Sequence, residues 1–275
     1  MKQRKKFSFS NLALLILLLA GLFLLLYPNV SDYLNSFHQS KAIASYAENV
    51  ANLDEEKYDV MLSEAMAYND RISKRQNKYQ LTEEERAEYE QLLDVSGTGI
   101  MGYVDIPEIH CTLPIYHGTE EAVLQVAIGH LDWSSLPTGG AGTHCVISGH
   151  RGLPSAKLFS NMDQLTEGDV FMLRVLDEVL TYEVDQVSIV LPNQTEDLLI
   201  EEGKDYCTLV TCTPYGVNSH RLLVRGSRIE TIDTKTIRVT ADAMQIEPIL
   251  IAPIVAAPIL LVLLIFVLVK YRKRT

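Results

Sequence analysis

Proline is absent between Pro28 and Pro107. Nothing in that stretch breaks a helix in the way proline does. Its polar, strongly charged texture predicts helices over about 30–50, 55–76 and 82–92. Cysteine is scarce: the four present, Cys111, Cys145, Cys207 and Cys212, are irregularly spaced and form no CxxC pair. That excludes a disulfide scaffold and a thiolate metal site. No His-x-x-x-His pair occurs either, so neither a metal nor another cofactor is expected. Positive charge is scarce away from the ends. Eight of the 24 Lys and Arg residues lie in two terminal clusters without acidic residues, which leaves 16 basic against 35 acidic residues and a formal charge of −19. Such a surface is not built for nucleic acid.

Two long apolar runs are present. Leu12 to Tyr27 follows Lys2, Arg4, Lys5 and Lys6, and Pro248 to Val269 precedes Lys270, Arg272, Lys273 and Arg274. The second run is long enough to span a bilayer despite Pro253 and Pro258. The first is marginal in length and reads as an uncleaved anchor, with a signal peptide as the alternative. Both basic clusters flank the runs on their outer sides, so both termini are expected in the cytoplasm and everything between them outside. The expected division is an anchor at 1–28, a helical lid or spacer at 29–96, a catalytic unit at 97–232, a linker at 233–247, a membrane helix at 248–270 and a basic tail at 271–275.

Within the helical part, Leu53-Asp54-Glu55-Glu56 and Leu81-Thr82-Glu83-Glu84-Glu85 place acids in first helical turns, with Thr82 as N-cap and Glu85 as its capping-box partner. Gly97-Thr98-Gly99 marks a boundary. Beyond it, short β-branched runs punctuated by Pro and Gly give an all-β pattern. The strand candidates are 100–106, 111–116, 144–148, 169–175, 181–191, 206–212 and 221–229, enough for a closed barrel. Val123–Ile128 and Ala156–Leu165 read as short helical turns. The apolar texture of Cys207–Val210 and Cys145–Ile147 marks central strands covered on both faces.

Thr208-Leu209-Val210-Thr211-Cys212 brings a cysteine to a strand tip, and Thr213 to His220 turns the chain so that Arg221 opens the next strand. A thiolate is a nucleophile, and a fixed guanidinium can stabilise the oxyanion formed when it attacks a carbonyl. Ser148-Gly149-His150-Arg151-Gly152 ends another such strand and offers a general acid/base. Thr211 is a candidate helper donor.

These segments resemble the signature of sortases, and more narrowly of the pilus-assembling class C sortases of Gram-positive bacteria. Met101-Gly102-Tyr103-Val104-Asp105-Ile106-Pro107, Leu113-Pro114-Ile115-Tyr116-His117-Gly118-Thr119 and Gly129-His130-Leu131, followed by Ser135-Leu136-Pro137-Thr138-Gly139-Gly140, extend the likeness from Gly99 to Ile229. The resemblance implies an eight-stranded sortase barrel with short flanking helices, an N-terminal helical segment and two membrane helices. It implies a cysteine transpeptidase with Cys212 as nucleophile, His150 as general acid/base and Arg221 as oxyanion-stabilising or substrate-positioning residue. Such an enzyme would cleave an LPXTG-like sorting signal between Thr and Gly and transfer the acyl group to a lysine of a second pilin. Pro192 and Asn193, in the Pro192–Thr195 loop, and Ser135, Leu136 and Pro137 would line the substrate pocket. Rival readings are an anchoring sortase that transfers proteins to peptidoglycan and a non-catalytic scaffold that gathers pilins. The two anchors favour the first reading, and the intact triad disfavours the last.

The sequence departs from the class C pattern in one respect. The usual lid carries Asp-Pro-aromatic, and the proline-free stretch has no such motif. Ala67-Tyr68-Asn69 resembles the helix before the lid, so either Tyr79 or Leu81 serves as a plug or the groove is open; an altered or absent lid is expected. In the sortase barrel the strands of Cys145 and Cys207 would be neighbours, which makes these thiols adjacent core residues rather than a disulfide. Cys111 reads as filler.

Overall fold

The computed structural model describes residues 9–75 and 78–231. The expected linker, C-terminal membrane helix and basic tail lie outside the described residues, as does the N-terminal basic cluster. Eight strands form the closed barrel that the strand pattern predicts: β1 (Ile100–Ile106), β2 (Cys111–His117), β3 (Ile128–His130), β4 (Thr143–Ser148), β5 (Val170–Val175), β6 (Glu178–Val190), β7 (Asp205–Thr213) and β8 (His220–Arg228). Their spatial order is β1-β2-β3-β4-β7-β8-β6-β5, closed by pairing of β5 with β1. Only β2/β3 and β4/β7 are parallel.

Each strand sends alternate residues inward. Cys145 and Ile147, Cys207 and Leu209, and Leu222 and Val224 fill the main core, while Val146, Val210 and Leu223 join a second apolar cluster on the other face. The parallel pair β4/β7 is therefore covered on both sides, as its texture predicts. β3 escapes a pattern-based reading because three residues, Ile-Gly-His, carry no alternation. The helix expected at Val123–Ile128 is α4 (Glu121–Leu124), and the segment 156–165 holds only a 3-10 turn at Met162–Gln164.

The helices are not a solvated spacer. α1 (Phe9–Ala51) runs unbroken through Pro28, where the sequence suggested a boundary. Among the described residues it is the one helix long and apolar enough to cross a membrane, its most apolar 18-residue stretch having a mean hydropathy of 1.5. Its buried Tyr46 hydroxyl donates to Met101 O (3.0 Å) and accepts from Leu176 N (2.8 Å), fastening helix to barrel. α2 (Glu55–Ser73) is capped by Asp54, and α3 (Glu83–Tyr89) by the Thr82–Glu85 capping box. Ala65, Tyr68 and Ile72 of α2 and Tyr89 of α3 belong to the main core. Asn69 acts like a strand edge: its Oδ1 accepts from Leu136 N (2.7 Å), and its Nδ2 donates to Leu136 O (3.0 Å).

Candidate active site

Cys212 and Arg221 are register partners on β7 and β8. Strand alternation puts both on the outward face, with Val210 and Leu223 two residues away. The turn between them is closed by Val217 N and Asn218 N donating to Pro214 O, each at 3.0 Å. Gly216 and Asn218 take the left-handed backbone there, at φ of 74° and 58°, which glycine and asparagine tolerate best. Arg221 Nη1 donates to His220 O (3.1 Å) and Asn218 O (3.4 Å), so the guanidinium is tied to the turn.

His150 reaches the same end of the barrel from β4. The β4/β7 ladder pairs Ser148 with Val210, Gly149 N donates to Val210 O (3.0 Å), and Thr211 Oγ1 donates to Gly149 O (2.7 Å). Carried two residues further, that register sets His150 against Cys212. Gly149 is required by close approach: a Cβ there would stand 2.7 Å from Ile128 and Phe159. Thr211, expected as a helper donor, is buried and uses its hydroxyl to hold the histidine loop.

The electrostatic surroundings hold a residue that sequence reasoning missed. Glu121 Oε2 stands 3.8 Å from His150 Nε2, a buried ring nitrogen with no hydrogen-bond partner among the described residues. Nothing local marks Glu121; it comes from α4, which packs beside β3. Arg151, next to the histidine, is turned elsewhere. It bonds Asp163 Oδ2 (2.5 Å) and Thr213 Oγ1 (3.2 Å) and lies over the Tyr215 ring.

Along the outward face, Val146, Val210, Leu223 and Leu198 form an apolar floor, with Leu131, Trp133 and Val190 packed against it. Of the expected pocket residues, Pro192 and Asn193 are exposed just beyond the end of β6, where Val190 pairs with Arg221. Ser135, Leu136 and Pro137 are buried instead. Ser135 O accepts from His130 Nε2 (2.8 Å), Ser135 Oγ accepts from His144 N (3.1 Å), and Leu136 is clamped by Asn69. The members of that loop packed against the apolar floor are Leu131 and Trp133. Tyr79 meets Trp133 edge-on, with ring centroids 5.3 Å apart, whereas Leu81 packs on the main core. Tyr79 thus borders the floor, and Leu81 does not.

The other cysteines are removed from this chemistry. Cys145 and Cys207 are buried register partners and free thiols. Burial raises Cys207 well above the usual thiol range, and its neighbour Cys145 adds to the rise. Burial also pushes the Cys111 thiol up to about 12, and its sulfur donates to Leu158 O at 3.8 Å. Cys212 is a free, half-buried thiol near the tip of β7, in register with Arg221.

Known proteins resemble this chain in sequence and in fold. A family profile for the sortase domain matches residues 104–229. Sortase C1 from Streptococcus agalactiae is 50% identical, with a TM-score of 0.68 over 70% of this chain and 100% of that one. A sortase C of Clostridium perfringens, solved with the C-terminal cell wall sorting motif, is 38% identical, with a TM-score of 0.62 over 70% of this chain and 100% of that one. Sortase D of Bacillus subtilis is 30% identical over 131 residues, which span 46% of this chain and 63% of that protein.

Proposed function

The chain belongs to the sortase family, and we propose that it is a class C transpeptidase that polymerises pilins at a membrane. Cys212 thiolate attacks the Thr–Gly carbonyl of an LPXTG-like signal, and Arg221 balances the charge on the resulting oxyanion. When the intermediate collapses, His150 gives its proton to the departing glycine amine, leaving a thioester. A pilin lysine then loses a proton to His150 and attacks the thioester, and the Cys212 thiolate is released. Arg221 keeps its charge at every step because a guanidinium does not deprotonate at working pH. The apolar floor under Trp133 and Val190 suits the leucine and proline of the signal, and Pro192 and Asn193 stand just beyond its Arg221 end.

The observation that carries this reading is the convergence of Cys212, His150 and Arg221 from β7, the β4 loop and β8 onto one end of an apolar floor. α1 supplies the anchor and holds the catalytic barrel on the outer side, with both termini cytoplasmic. Incubation of the extracytoplasmic part with a panel of sorting-signal peptides tests the chemistry. A thioester on Cys212, detected by mass spectrometry, is the expected result. No adduct with any peptide, while iodoacetamide still modifies Cys212, overturns the proposal.

A further inference from the structure

α1 carries its polarity the opposite way round from a helix lying on a soluble domain. Beyond Tyr27 three of its polar side chains face the barrel. Asp32 Oδ1 accepts from Lys157 N (2.7 Å), Asn35 Nδ2 donates to Ser155 O (2.8 Å), and Gln39 Nε2 donates to Val126 O (2.6 Å). The opposite face shows Val30, Tyr33, Leu34 and Phe37, at the i, i+3, i+4, i+7 spacing of one stripe, with exposures of 54, 71, 51 and 60%. A helix on a soluble domain buries its apolar stripe and shows its polar one.

We infer that this stripe lies in the headgroup–acyl boundary of the bilayer, with the barrel's Val126 and Ser155–Lys157 rim carried on the helix face turned away from the lipid. The inference rests on the membrane-anchor reading given above. Length supports it. Leu12 to Tyr27 is 16 residues, about 24 Å of helix at ~1.5 Å per residue, short of the ~30 Å hydrocarbon core. The stripe continues that run without a break in the helix and extends its apolar surface on one side only. A helix so built leans toward that side. Tyr27, Tyr33 and Phe37 are aromatic side chains of the kind that settle at a membrane interface. Stripe residues carry no charge, and the next exposed basic residue is Lys41, where the stripe has ended. Lipid is therefore the occupant, in continuity with the span.

The test uses the full chain in liposomes, with Trp133→Phe as background and one tryptophan introduced at a time, quenched by lipids brominated near the headgroup or deep in the chain. Leu24→Trp is expected to be quenched by the deep probe. Tyr33→Trp and Phe37→Trp are expected to be quenched by the shallow probe at least about twofold more than Ser36→Trp on the side of the same turn. Quenching at 24 with none above the Ser36→Trp level at 33 and 37 overturns the inference and leaves the anchor in place. No quenching at 24 removes the anchor reading as well. Photoreactive lipid on the unsubstituted chain gives an independent measurement, with labelling expected on the peptide that contains Tyr33 and Phe37. Crosslinks from that peptide to a second copy or to the 248–269 run, with no lipid label, also overturn the inference.

Discussion

Cys145 on β4 and Cys207 on β7 face each other as register partners, and the same register carried five residues further sets His150 beside Cys212. The spacing between His150 and Cys212, the proposed acid/base and nucleophile, is thus set from a backbone ladder that ends at Ser148 and Val210 and is continued by the bond from Gly149 N to Val210 O. The weak point of that ladder is Gly149, packed under Ile128 and Phe159. Gly149→Ala should leave the barrel folded at a cost of about 1–3 kcal/mol, the usual range for overpacking. It should also slow thioester formation about tenfold or more by displacing His150, since catalysis is sensitive to misplacement on the ångström scale. Thermal melts and single-turnover mass spectrometry separate the two effects.

The guanidinium fork gives a second prediction. Arg221→Ala should reduce thioester formation by about 10²–10³-fold, the usual cost of losing an oxyanion donor. Arg221→Lys should recover only part of this, because an ammonium lacks the planar guanidinium, which can hold the turn carbonyls through Nη1 and still present its other N–H donors to substrate. Recovery to the parent rate by lysine would show that charge alone suffices.

Glu121 should have a modest, salt-sensitive effect. It is exposed and 3.8 Å from His150 Nε2, so the pair is worth at most about 1 kcal/mol, roughly fivefold in rate. Glu121→Gln should lower the rate by up to that factor at low ionic strength, and the difference should shrink toward nothing near 1 M salt. Glu121→Asp should restore part of the loss. An effect that persists unchanged at high salt would assign Glu121 a packing role instead.

How much of this was legible in the sequence depends on distance along the chain. Cys212, the turn and Arg221 form one continuous segment, and their pairing follows from hairpin geometry. His150 was readable as a strand-end residue, and the pairing of its strand with that of Cys207 was expected through the family resemblance alone. Glu121 was unreadable because its contact with His150 spans separate elements and leaves no local pattern. Ser135, Leu136 and Pro137 read as pocket residues for a similar reason. Their burial is set by Asn69, a polar side chain whose role as a strand-edge mimic no periodicity reveals. The barrel strands were legible through their alternation, except β3, which is too short to show any.

Acid should loosen the fold through His144. Burial lowers its pKa from the usual histidine value, opposed by its hydrogen bond to Leu199. Its Nδ1 donates to Leu199 O (2.9 Å), which leaves Nε2 to accept from Thr208 Oγ1 (2.7 Å), an arrangement that requires the neutral ring. The folded pKa lies below the unfolded one, so the unfolded chain binds the extra proton first as pH falls. Stability from this group is complete above about pH 6.5 and declines as pH drops through the folded value. Tm measured from pH 7.5 to 5 should fall, and His144→Gln should lower Tm at neutral pH while flattening that slope.

Access to the nucleophile should depend on Tyr79. The ring borders the apolar floor through Trp133. Tyr79→Ala should speed alkylation of Cys212 by a small chloroacetamide a few-fold, about 1 kcal/mol of lost aromatic contact. Leu81→Ala should not speed alkylation and should lower Tm, because Leu81 packs on the main core. Equal alkylation rates in Tyr79→Ala and the parent would mean that the groove is already open.

Because α1 passes from its apolar run to the Tyr46 staple as one helix, the barrel does not swing on a string. A flexible linker would let the active site sample a hemisphere above its anchor, diluting it over that volume. A rigid mast confines it to a thin disc at one height. Encounter with another membrane-held chain then becomes a two-dimensional search, and the local concentration each partner meets is set by lateral density in the bilayer. Inserting a few glycines between Gln39 and Tyr46 would return the enzyme to three dimensions without altering a single catalytic residue.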